Sequence, residues 1–206
     1  MMVVQIVMNN VLTKYGADTI YGADIPLAVS GILMKISMII FSFIVGITMG
    51  CQPIQGFNYG AKKYGRVKAT YRQALIAILA FSIVAFSLLQ IFPREIVGIF
   101  GSGDDLYFEF AERFTRIFLM MFGIFGIQTL TVSFFTAIGK AKQSVFLTLT
   151  RQGLFLLPLL IILPMFLGID GALIAGPIAD FSAVALCAVL AAVEMRRITA
   201  LQREHS

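Results

Sequence analysis

The 206-residue sequence has little of what most soluble enzymes depend on. It contains no tryptophan, one histidine and two cysteines, and only 13% of its residues are charged. His205 stands in the last residues of the chain, so a histidine-based catalytic constellation or metal cluster has no material. Cys51 and Cys187 lie in or beside apolar segments without metal-ligand or redox spacing, and we interpret them as small packing residues. With no nucleophile–base pair and no phosphate loop in view, the sequence predicts neither an enzyme nor a cofactor.

What the sequence has in quantity is apolar residues, at 59% of the chain. A soluble domain is about half apolar and a quarter charged, so this composition predicts an integral membrane protein. The formal net charge is +5, but the basic residues cluster beside apolar segments. That placement is typical of membrane anchoring, and we expect no nucleic-acid partner.

Apolar segments separated by polar turns indicate the number of spans. The first covers residues 1–13, which is shorter than the about 20 residues that cross a bilayer, and Gln5, Asn9 and Asn10 interrupt it. Complete spans are predicted at 25–51, 73–92, 114–138, 144–167 and 172–193, with a polar tail at 194–206. The sequence therefore predicts one all-α integral membrane domain, a bundle of five complete transmembrane helices plus one partial N-terminal one.

Basic residues indicate which side of the bilayer each turn faces. The stretch 50–72 carries five lysines and arginines and no acid, and cytoplasmic turns are enriched in such residues. With loop 52–72 on the cytoplasmic side, loop 139–143 with Arg151 and the C-terminal tail are cytoplasmic too. These regions hold eleven of the sixteen basic residues, while most acids fall on the other side. We expect a multi-pass protein of the inner (plasma) membrane.

Polar residues deep in the spans are the candidate site. Lys35 lies ten residues past Ile25 and Asp180 ten residues past Asp170, each about 15 Å deep at 1.5 Å per residue. Gln128 and Gln5 fall at a similar level, and Asn9 shares a helix face with Gln5. Charged residues in spans are functional candidates by default, so these five predict a polar pathway between helices. The alternative, that Gln128 and a Lys35–Asp180 pair are structural contacts between helices, remains open.

Four motifs give the chain a family resemblance. They are GITMGCQPIQGFNYGAK at 46–62, FFTAIGKAK at 134–142, LTRQ at 149–152 with Pro158 after it, and GIDGALIAGPIAD at 168–180. In this order they resemble the carboxy-terminal half of multidrug and toxic compound extrusion (MATE) transporters. That resemblance covers nearly the whole chain and implies one six-helix lobe of a twelve-helix transporter, beginning inside the seventh helix.

The resemblance implies export of small cationic or amphipathic compounds by alternating access, driven by inward H⁺ or Na⁺. It also implies a second six-helix lobe as partner, either on the same polypeptide or on another. Some family members carry acids in the seventh and tenth helices, where this chain offers only Gln5, Asn9 and Asn10 in the first and Gln128 in the second; Asp180 is the acid left at depth. The alternatives are a transport-inactive fragment, half of a split transporter, and a flippase of lipid-linked precursors.

Overall fold

The structure, a computed structural model, describes residues 2–204 and is helical almost throughout. The helices are α1 (Met2–Gly16), α2 (Asp24–Gly60), α3 (Tyr64–Ile91), α4 (Pro93–Phe100), α5 (Asp105–Phe118), α6 (Phe122–Ala137), α7 (Ala141–Leu149), α8 (Leu157–Leu167) and α9 (Ile169–Glu204). A π-helical turn, Thr150–Leu156, joins α7 to α8 without a break in the chain's course. Within 2–204, four helices are long and apolar enough to cross a membrane, and a bent α5–α6 pair makes a fifth.

The two ends of the bundle differ in charge, and we name them accordingly. The basic end holds the turns at 61–63 and 138–140 and the end of α9, while the acidic end holds the turns at 17–23, 101–104 and 168. Each end has its own apolar cluster. Phe110, Phe114, Leu12 and Leu173 belong to the cluster near the acidic end; Ile44, Ile78, Phe134 and Ile198 belong to the cluster near the basic end.

Long helices replace most of the predicted loop 52–72. Helix α2 continues to Gly60 and α3 begins at Tyr64, so the connection is three residues long. Lys62 takes a left-handed conformation (φ 56°), its N–H donates to the Tyr59 carbonyl, and the Lys63 N–H donates to the Asn58 carbonyl at 2.8 Å. This is the Schellman arrangement that ends helices. Pro53 lies inside α2, and a lysine rather than a glycine takes the left-handed position of the turn.

Three other predicted segments also differ from the structure: two helices are longer than predicted, and one span is bent. Helix α7 begins at Ala141, inside the predicted loop 139–143. The predicted tail 194–206 is helical through Glu204, and the remaining tail residues lie outside the described part of the chain. The predicted span 114–138 bends by 48° between α5 and α6. Just before this bend the Thr115 hydroxyl donates to the Ala111 carbonyl, a side-chain bond that bends helices.

Helices α8 and α9 form a tight antiparallel pair. Gly168 turns the chain with φ 59°, and Gly171 lies so close to α8 that a Cβ there would stand 2.4 Å from the carbonyl carbon of Leu163. On the other side of α9, helix α6 packs against α2, α3 and α9 together. This arrangement brings α6, the π turn and α9 to one place in the middle of the bundle.

Candidate ion-pair site in the middle of the bundle

The π turn has a local cause in the sequence. Pro158 has no N–H to donate and its ring displaces the carbonyl four residues earlier, which an α-helix cannot accommodate without distortion. The Leu157 N–H donates to the Gln152 carbonyl, five residues back, which is the π-helical pattern. Such turns are frequent at functional sites. Arg151 is the second residue of this widened turn.

Arg151 forms an ion pair with Asp180 of α9. Its Nε donates to Asp180 Oδ1 at 2.8 Å, and the two side chains are only 18% and 11% exposed. On α6, the Phe125 ring lies with its centroid 4.4 Å from the guanidinium carbon, a distance typical of a cation–π contact. The guanidinium is therefore held by a carboxylate and an aromatic ring from two different helices.

Gln128 lies one turn along α6 from Phe125 and contacts the same helix as the ion pair. Its amide Nε2 donates to the Leu147 carbonyl at 3.5 Å, one turn before Arg151, and its Oε1 is buried without a partner in the described residues. Residues three apart on a helix share a face, so Phe125 and Gln128 both face the helix that carries Arg151. The structure thus brings Gln128 and Asp180 against the same helix, Gln128 at Leu147 and Asp180 at Arg151.

The pair lies at the boundary between the two apolar clusters. On α9, Ala179 belongs to the cluster near the acidic end and Cys187 to the cluster near the basic end. Along the helix that carries Arg151, Leu147 belongs to the cluster near the basic end and Leu156 to the cluster near the acidic end. A charged pair between two apolar layers costs desolvation and is stable only if each charge keeps its partner.

Lys35 does not join this site. It lies on an exposed stripe of α2 with Met38, Ser42 and Met49, and the ion pair that Asp180 makes in residues 2–204 is with Arg151. The hypothesis of a Lys35–Asp180 pair was therefore wrong for this structure. Depth along a span gives a residue's level but not the direction its side chain takes around the helix, and Lys35 is exposed on α2.

The remaining predicted residues are also on the surface of the bundle. Gln5 is exposed and Asn9 is half-buried, both on α1. Lys35, Gln5 and Asn9 are thus available to a group outside this chain, whereas Gln128 and Asp180 are held within it. Whether any of the five contacts a substrate or ion stays a prediction.

Two polar contacts were missed in the sequence. Arg151 was assigned to the basic cytoplasmic group, although it stands eleven residues past Lys140, which at 1.5 Å per residue is about 16 Å and as deep as Asp180. Glu194 was placed in a polar tail, but it is buried and its Oε2 accepts a charge-assisted bond from Lys140 Nζ. A count of residues from the basic turn at Lys140 would have placed Arg151 deep in its span. Only the packing of α9 shows that Glu194 is buried.

This geometry is that of a polytopic helical membrane protein with an ion pair buried between its spans. The family model described as MatE matches residues 1–162, which is most of the chain. The chain belongs to the MatE family and is a multi-pass integral membrane protein.

Individual relatives agree with this membership. The chain is 25% identical over 186 residues to the multidrug export protein MepA of Staphylococcus aureus (strain NCTC 8325 / PS 47), covering 90% of this chain and 38% of MepA. It resembles the solved structure of the MATE multidrug transporter DinF-BH with a TM-score of 0.75 and 34% identity, over 82% of this chain and 38% of that one.

A likeness of fold extends further. An outward-facing conformation of a MATE transporter of the MOP superfamily matches 98% of this chain and 44% of its own, with a TM-score of 0.84 at 18% identity. The chain therefore spans about two fifths of the length of the proteins it matches. The prediction of an all-α membrane lobe like one half of a MATE transporter is confirmed.

Proposed function

We propose that this chain is the carboxy-terminal lobe of a multidrug efflux antiporter that exports cationic and amphipathic compounds by alternating access. The observation that carries the proposal is the match of nearly the whole chain to less than half of a MATE transporter. The name of MepA, a multidrug export protein, supports the same class of activity.

The surface of the bundle supports a second lobe as partner. Lys35 is exposed ten residues into a long apolar helix, and Gln5 is exposed on α1. Lipid cannot satisfy a charge or an amide at that depth, so these groups need a polar cavity or another protein surface. A facing six-helix lobe, on the same polypeptide or on another, provides both, and Lys35, Gln5 and Asn9 then line the cleft between the lobes.

The Arg151–Asp180 pair supports a role for this lobe in ion coupling. A proton taken up by the Asp180 carboxylate removes the charge that holds Arg151 and leaves the arginine with the Phe125 ring alone. Two arrangements of one side chain, selected by an ion, are what alternating access requires of a coupling element. The driving ion is H⁺ or Na⁺, and the basic end of the bundle faces the cytoplasm at the inner membrane.

An efflux assay tests the proposal in the polypeptide as it occurs in its native membrane, after its mass has been measured there. Cells without other exporters are loaded with ethidium, and efflux is followed with and without an imposed proton or sodium gradient. We expect gradient-dependent efflux, reduced at least tenfold by Asp180→Asn when efflux is normalised to the amount of protein in the membrane. Asp170→Asn, a more exposed acid on the same helix, is the matched control and should keep efflux within about twofold.

Three outcomes separate the alternatives. A band at 22.6 kDa without a six-helix partner and without efflux would identify an inactive fragment and overturn the proposal. Co-purification with a second six-helix chain would support a split transporter. Full efflux by Asp180→Asn would remove the ion pair from the mechanism while leaving the transport activity in place.

A further inference from the structure

The last turns of α9 carry a basic surface cavity that the transport proposal does not use. It has a volume of about 370 Å³ and is lined by Met195, Arg196, Thr199, Ala200 and Arg203. No acidic side chain lines it among the residues that the structure describes. The nearest buried acid in sequence, Glu194, is already paired with Lys140.

A third cation comes from the neighbouring helix. Lys68 on α3 donates from Nζ to the Thr199 hydroxyl at 3.3 Å, and that hydroxyl donates to the Met195 carbonyl at 2.8 Å. Thr199 is thereby fixed between the two arginines with Lys68 beside it. Two guanidinium groups line this concave surface and the Lys68 ammonium lies beside it, and such cations are donors suited to the oxygens of a phosphate.

The position of the cavity along α9 corresponds to the membrane surface. Arg196 lies 26 residues past Asp170, which is about 39 Å at 1.5 Å per residue and beyond a hydrocarbon core of about 30 Å. Val189 and Val193 stand on the same stripe of α9, two turns and one turn before Arg196, and they are 60% and 57% exposed. An exposed apolar strip therefore runs directly into the basic cavity.

We propose that this cavity binds the phosphate headgroup of an acidic phospholipid. The lipid's phosphate contacts Arg196 and Arg203, with the charge of Lys68 beside Thr199 adding to the attraction, and its acyl chains lie along Val189 and Val193. Charge complementarity selects an anionic headgroup, and the adjoining apolar strip selects a lipid over a soluble anion. The inference goes beyond the proposed export activity and does not depend on it.

Native mass spectrometry of the detergent-solubilised chain tests the proposal with phosphatidylglycerol as probe and phosphatidylcholine as the zwitterionic comparison. The variant is Arg196→Gln with Arg203→Gln. A basic residue near a membrane surface strengthens attraction to anionic lipid by about fivefold, so removing two should weaken phosphatidylglycerol binding by about 25-fold. Both arginines are exposed, so the unfolding midpoint should stay unchanged.

The matched control is Arg66→Gln with Arg72→Gln, which removes the same charge from exposed positions of α3 at the same end. It should leave phosphatidylglycerol binding within about threefold. Equal losses in the two double variants would show attraction to the surface as a whole and overturn the site.

A second comparison distinguishes the source of the phosphate. Inorganic phosphate and soluble glycerophosphoglycerol are added at millimolar concentration, and neither should displace the bound phosphatidylglycerol. Displacement by either one would assign the cavity to a soluble anion and overturn its assignment to lipid. Equal binding of phosphatidylcholine would overturn the selection by charge.

Discussion

The ion pair between Arg151 and Asp180 should contribute measurably to the stability of the bundle, and a double-mutant cycle can isolate that contribution. The variants are Asp180→Asn, Arg151→Met and both together. Asparagine keeps the size of the side chain and removes its charge, and methionine keeps most of the length of arginine. The coupling free energy is the difference between the double variant's loss and the sum of the single losses.

The magnitude follows from the burial and geometry of the pair. Removing one partner of a fully buried ion pair costs about 3–5 kcal/mol, because the other charge is left without compensation. Here Arg151 is 18% exposed, and its contact with Phe125 persists when the carboxylate is neutralised. A desolvated cation–π contact stabilises by up to about 2 kcal/mol, so we expect Asp180→Asn to cost about 2–3 kcal/mol. Arg151→Met also removes the contact with Phe125 and leaves the Asp180 carboxylate unpaired, so it should cost about 3–5 kcal/mol, and the coupling should be about 2 kcal/mol.

Unfolding in mixed detergent micelles, followed by far-ultraviolet circular dichroism, measures these differences. The Arg113–Asp170 pair provides the matched control, since its atoms are 2.7 Å apart but its side chains are 44% and 37% exposed. Exposed pairs contribute about 0–1 kcal/mol, so the same cycle there should give a coupling below about 1 kcal/mol. A coupling below about 0.5 kcal/mol for Arg151 and Asp180 would refute the reasoning, because independent sites add to within that amount.

Two further substitutions test the packing that positions the site. Gly171→Ala should destabilise the bundle by about 1–3 kcal/mol, because the new Cβ would overlap the backbone of α8. The control Gly153→Ala places a Cβ where no atom lies within 4 Å and should cost less than about 0.5 kcal/mol. Thermal unfolding measures both differences. Glu194→Gln should cost about 2 kcal/mol by removing the charge that partners Lys140, and a Lys140→Met background should remove most of that difference in the same measurement.

The helical content and the location of the charged turns follow from sequence because both depend on composition over many residues. A run of about 20 apolar residues specifies a span whatever its neighbours are. The basic turn after α2 and the basic turn after α6 are recognisable for the same reason. Their lengths were overestimated, because helices continue through polar residues wherever one face still packs: Asn58 and Glu194 are both buried.

The partner of Asp180 depends on information that a single sequence does not carry. Lys35 lies eleven residues past the start of α2, and Arg151 lies ten residues past the start of α7. By depth alone, either could have reached the level of Asp180. The choice between them is set by the rotation of each helix about its axis. For Arg151 that rotation depends on the π turn, which a pattern of apolar residues alone does not show.

The π turn between α7 and α8 has a consequence for insertions and deletions. A π turn contains one residue more per hydrogen-bonded turn than an α-helix, so losing one residue within 150–156 would restore an α-helix and leave both flanking helices facing their present neighbours. The same loss inside α6 would rotate everything after it by about 100° and move Gln128 away from Leu147. We therefore expect related chains to differ in length by single residues at this turn. Such a change would alter the direction in which the side chain at position 151 points.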